Sequence, residues 1–201
     1  MTIYTAPFGF QPAKRVADRV NNNAQQEFPI QSGYAVALRP GDLVRLNAAG
    51  YVAKETGTAT YLLNGGGILG VFLGCNYTDP VLGHTYRQNW TAGTVAADAV
   101  AMIDCDPGVV MRVAYVSAGT TVTGLTRPNA IGKNVAIVQN ATSTTTSDIA
   151  VTGAATTATL PLKIYDVDLA SLNPTTGLYT AMFVIYNAAN HAFTSGVPAT
   201  V

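Results

Sequence analysis

Few residues in this chain have the type and spacing to do chemistry. His84 and His191 are the only histidines, and they stand far apart. Neither belongs to a metal-ligand spacing such as H-x-x-x-H, and a general base needs a partner within hydrogen-bond reach. A surface loop for His84 and a hydrogen-bonding cap near the last strand for His191 are the ordinary readings. Asp104 and Asp106 flank Cys105 in IDCDPG. On a strand, positions i and i+2 share a face, and two carboxylates there suit cation binding or proton transfer. The same residues also make a tight turn in which Asp side chains accept from nearby backbone amides. The turn is the favoured reading. Asp79 and Asp98 add no ligand pattern.

Cys75 and Cys105 are the only thiols, and their separation is unrelated to C-x-x-C. In a reducing compartment two such cysteines are expected to be buried and free, with a bridge between neighbouring strands as the alternative. Trp90 with Tyr77 and Tyr86 offers a sugar-stacking set, although aromatics in a β domain more often serve the core or an interface. GGGILGVFLG is not a phosphate cradle, because its glycines precede a strand instead of following one and opening a helix. There is no G-x-S-x-G elbow. The expectation is a protein that is not an enzyme, with no catalytic, cofactor-binding or metal-ligating residues.

Composition points toward assembly. Only 11% of the 201 residues are charged, against about 25% in an ordinary soluble domain. A monomer normally covers itself with charge, whereas interface cores are depleted in Lys, Glu and Asp. Formal net charge is zero, so a nucleic-acid binder's basic footprint is missing. Lys14, Arg15 and Arg19 cluster, but Asp18 interrupts them. No basic end followed by an apolar stretch opens the chain, and no apolar run reaches the roughly 18 residues of a membrane span. Synthesis in a cytoplasm, with no direct nucleic-acid or membrane partner, is the expectation.

The elements that must position these residues are mainly strands. Residues 1–29 mix Pro, Gly and aromatics without a period, and allow at most a short helix over Ala13–Val20. They are expected to form an extended N-terminal arm whose Tyr4, Phe8 and Phe10 insert into a neighbour, since buried aromatics dominate interface energetics. Residues 30–201 carry short alternating runs broken by turn residues, the pattern of a β sandwich or barrel. A division into subdomains near 30–128 and 129–201 is possible on spacing alone. Expected strands include 34–38, 43–46, 51–53, 68–75 and 181–186, with 97–103 and 109–116 as partners across the Asp104–Gly108 turn.

The order of segments is informative. FGFQP is followed by IQSGYAVALRPGDLVRLNAAGYVA and ILGVFLGCNYTDP. NWTAGT, IDCDPGVVMRV, IGKNVAIV and FVIYNAANHAF come after. This succession resembles small virion structural proteins of tailed, podovirus-like bacteriophages, over nearly the whole chain. The last segment departs from the family form by an extra Ala188-Ala189 before His191. The resemblance implies a capsid decoration (cement) protein with a β-tulip-like domain, located on the phage head surface. Its implied partners are the major capsid protein and sister copies, as a trimer or a dimer. A head–tail connector, tail or fibre-attachment subunit is the alternative within the virion. A carbohydrate-binding β domain is the alternative outside it.

Overall fold

The computed structural model describes residues 7–20, 24–55, 67–116, 127–139, 149–155, 160–169 and 180–194. Twelve strands make up nearly all of its regular structure. They are β1 (Gln11–Arg15), β2 (Gln25–Pro29), β3 (Leu43–Leu46), β4 (Val52–Lys54), β5 (Gly70–Asp79) and β6 (Gly83–Arg87). β7 (Val100–Asp104), β8 (Val109–Tyr115), β9 (Asn134–Gln139), β10 (Ile149–Ala155), β11 (Leu162–Val167) and β12 (Thr180–Tyr186) follow. One helical turn, α1 (Arg127–Ala130), precedes β9. No helix among the described residues is long and apolar enough to cross a membrane.

The expected mainly β architecture is present as two largely antiparallel sheets. In the first, β5 is central: β7 runs along one edge, while β3 and then β6 share the other. β2 extends this sheet beyond β7, and β4 extends it beyond β3. In the second, β8 pairs with β12 on one edge and with β1 and β10 on the other. Pairings from β12 through β11 and β9 to β10 bring the sheet back to β8. That return is one residue pair, Val151 opposite Tyr115. The sheet is therefore strongly curled and does not form a closed barrel.

Apolar alternation decides the packing, because successive strand residues face opposite sides. Leu43 and Val71 join Met111, Val113, Val135, Ile164, Met182 and Val184 in a core shared by the two sheets. Their neighbours Val44 and Phe72 face the other way, into a second core with Ile30, Leu38, Trp90 and Ile103. The first sheet is thus buried on both faces, the outer one covered by the segments around residues 30–42 and 88–99.

Two expectations, the strand at 34–38 and the pairing across Asp104–Gly108, are corrected. The predicted strand at 34–38 is an irregular cover segment. Leu38 alone bridges, to Trp90, while Val36 is exposed and Leu38 fully buried. The segments before and after Asp104–Gly108 are not partners. β7 lies in one sheet and β8 in the other, because the turn carries the chain across the sandwich. The N-terminal arm falls partly on residues 1–6 and 21–23, outside the described residues. Elsewhere in 1–29, β1 is paired to β8 and β2 to β7, with no helix over 13–20 beyond the single turn Val16–Asp18. Strands from 30–128 and 129–201 also interleave, since β8 is the centre of the sheet that holds β9–β12.

Close approach between β5 and β7 makes a sharp prediction. A Cβ on Gly70 would collide with the backbone carbonyl of Asp104. Gly50, at φ +80°, has open space around it and lies in a turn. Gly70→Ala should therefore lower unfolding free energy by about 3 kcal/mol through overpacking, and Gly50→Ala by about 1 kcal/mol through backbone strain alone. Chemical denaturation of the two variants checks the order. Equal losses would contradict the packing described.

Candidate functional site

The sandwich gathers the charged residues of IDCDPG at its crossing turn, where they serve the turn. Asp106 Oδ1 accepts from the Gly108 amide at 2.9 Å, and Oδ2 is paired with Arg15 Nε at 2.6 Å. Asp104, fully buried, accepts from the Asp106 amide at 3.3 Å. Among the described residues no three His, Cys, Asp or Glu side chains are grouped to hold a metal.

Behind this turn sit Tyr186 and His191, with ring centroids 4.7 Å apart. Burial first, then the Asp104 carboxylate, pushes the Tyr186 phenol well above its ordinary range. Burial drives His191 down to about 4, against smaller opposing pulls from Asp106 and the Leu69 carbonyl. The imidazole is thus neutral near pH 7, and its Nδ1 accepts from the Phe193 amide at 3.3 Å. This is the local capping role expected for it, in a fully buried setting. His84 lies exposed on β6.

Both cysteines are free and buried. Burial raises the Cys75 thiol to about 11 and also raises Cys105. Neither is a thiolate at neutral pH, so neither is an activated nucleophile. Trp90 is fully buried, meets Tyr77 edge-on at 5.8 Å and donates Nε1–H to the Tyr34 carbonyl at 3.2 Å. It has no face left to stack on a sugar.

An apolar groove of about 380 Å³ opens where the two sheets meet, lined by Phe8, Phe10, Pro12, Pro40, Leu73 and Gln88 among others. Its wall is built on the Pro40-Gly41-Asp42 turn. Gly41, at φ +91°, lets the backbone of Gly9 and Phe10 pass close by, and the Phe10 amide donates to the Gly41 carbonyl at 2.8 Å. The turn is anchored from inside by buried Asp42, paired with buried Lys54 at 3.1 Å. Of the residues expected to form an aromatic interface, Phe8 and Phe10 come together here. Phe10, only 1% exposed, belongs to this chain's own core, so it is not available to insert into a neighbour. Phe8 is half-buried at the rim, under the Arg112 guanidinium at 5.5 Å. Tyr4 lies outside the described residues.

Sequence reasoning missed a second feature. The β5–β6 hairpin carries Val81 and Leu82 at its tip, 87% and 64% exposed. Asp79 Oδ1 accepts from both of their amides, at 2.8 and 3.1 Å, which holds the turn rigid. Asp98 clamps the hairpin through Thr78 Oγ1 at 2.6 Å. The signal was present in Asp79-Pro80-Val81-Leu82-Gly83: a turn composition interrupted by two large aliphatic residues that no strand alternation would bury.

No family model matches the chain, and no curated protein or solved structure is significantly similar to it. The site must therefore be read from its own geometry.

The buried imidazole predicts acid sensitivity. Its folded pKa lies below its unfolded value of 6.5. The unfolded chain therefore binds the extra proton first, and stability complete above pH 6.5 is lost as pH falls toward 4. The loss should be on the order of 3 kcal/mol. Asp79, Asp98 and Asp166, held below 3.8, lose their contributions only at still lower pH. Urea unfolding from pH 7 to 4.2 should show this slope in the native chain and a flatter one in His191→Phe. Identical slopes would mean that the histidine does not set the acid sensitivity.

Proposed function

We propose that this chain is a structural virion subunit that decorates a tailed-phage capsid and stabilises it by subunit contacts. The major capsid protein and sister copies would be its partners, and the phage head surface its place. The order of segments, similar to that of decoration proteins, supports the virion setting. One structural observation carries the assembly role: large aliphatic side chains stand exposed on a surface poor in charge, two of them on the β5–β6 turn. Val20, Val81, Leu82 and Val95 are each more than 60% exposed. At least four of the eleven acidic residues are buried, namely Asp42, Glu55, Asp104 and Asp106. The exterior is therefore poorer in charge than composition alone indicates, which suits a surface covered by neighbours.

A sugar-binding role loses its main support with the burial of Trp90. The ionisable groups of the crossing turn are engaged in backbone and ion-pair contacts, which favours a scaffold over a reacting site.

The reading is tested by producing the chain with the coat protein encoded in the same genome. The expected result is co-sedimentation with assembled shells and a rise in their disruption temperature. Shells that sediment without it would overturn the decoration role, and isolated rings of six or twelve copies would place the chain at the head–tail junction instead.

A further inference from the structure

We infer that the Lys54 amine and the Asp42 carboxyl condense into an amide, an isopeptide strap across the base of the β3–β4 hairpin. This is a self-modification site, and it does not depend on the assembly role. Lysine and aspartate are almost never fully buried unless paired. Here both are interior: the side chains are 5% and 0% exposed, with Lys54 Nζ 3.1 Å from Asp42 Oδ2. Lys54 stands opposite Val44 in the ladder and shares a strand face with Val52. Both valines belong to the outer core. An ion pair in such surroundings carries the desolvation cost of two charges. An amide carries no charge, so condensation removes that cost.

Both partners are held in position. The Asp42 amide donates to the Arg39 carbonyl at 2.9 Å, and the Phe72 amide donates to the Asp42 carbonyl at 2.8 Å. Asp42 Oδ2 accepts from the Arg39 amide at 2.9 Å. The Lys54 amide donates to the Tyr34 hydroxyl at 2.9 Å. Groups fixed in contact react as if at effective concentrations on the order of 10⁵ M or more. Arg15, Arg45, Arg112 and Arg127 also meet carboxylates, but all four side chains are more exposed. Their guanidinium groups stay protonated and offer no nucleophile.

The ion pair is the reactant geometry. One proton passes from Nζ to Oδ2 along the existing contact, giving a neutral amine and a neutral acid. The Nζ lone pair forms the bond to Cγ. A second Nζ proton moves to Oδ2, the Cγ–Oδ2 bond breaks, and one water leaves. The amide keeps Oδ1 as its carbonyl oxygen and one hydrogen on Nζ. No oxidant and no net proton is consumed. The Arg39 amide donates to the departing oxygen and eases the charge that builds on it.

Mass spectrometry of the full native chain, denatured after purification, tests this. The intact mass should fall short of the sequence mass by one water. In a tryptic digest Lys54 should stay uncut, and residues 20–45 should arrive joined to 46–87. Lys54→Arg keeps the charge but removes the nucleophile, and should carry the full sequence mass. If that variant does not fold, the native digest decides alone. A native chain of full mass that trypsin cuts at Lys54 overturns the inference. A missing water without the joined fragment places the loss elsewhere and overturns it too, as does a Lys54→Arg chain that still lacks a water.

Discussion

The fold depends on keeping the first sheet dry on both sides. β5 lies at its centre and alternates Val71 into the core shared with the second sheet and Phe72 into the outer core. Such a strand has no solvated face, so it reads as a nearly continuous apolar run. Burial on the outer side comes from irregular chain, and irregular chain must still satisfy its backbone groups. It does so by local means: Leu38 and Trp90 exchange backbone hydrogen bonds at 3.2 and 2.9 Å, and the Ile30 amide donates to Ala99 at 2.9 Å. The cover is held to the sheet's flank by backbone partners of this kind.

The same demand explains where the charged groups went. Charged residues drawn toward the interior are joints in the structure. Asp42 and Lys54 anchor the turn that walls the groove. Asp106 and Arg15 tie the crossing turn to β1. The buried Asp42–Lys54 pair adds little net stability, yet removing one partner leaves an unpaired buried charge and costs about 3–5 kcal/mol. These pairs select one arrangement of the turns, and they do so by taking charge away from the surface.

Much of the architecture was legible in the residues. Leu43–Leu46, the Ala49-Gly50 turn and the return through Val52 appear where alternation and turn chemistry put them. Gly70 and Gly74 mark close approaches, as glycines inside a strand suggest. What failed was connectivity. Val100–Asp104 and Val109–Tyr115 look like a hairpin, since two apolar runs around Asp-Pro-Gly carry no mark of which sheet each will join. Residues 34–38 alternate like a strand but are framed by Gly33 and Pro40, and they lie over the sheet as cover. The groove was half legible: Phe8 and Phe10 were singled out, but depth depends on tertiary packing, which placed Phe10 inside. The hairpin tip needed only closer attention to two aliphatic residues inside a turn.

The buried sulfurs have a practical consequence. Cys75 Sγ and Cys105 Sγ each contact a backbone carbonyl, of Asn89 and Ala24, at 3.7 Å, and both side chains belong to the outer core. Alkylating reagents meet them only when that layer opens. The chain therefore carries two native reporters of its own breathing. Their labelling rates, read separately by mass spectrometry, would time the loosening of the cover over β5 and β7, with no probe added.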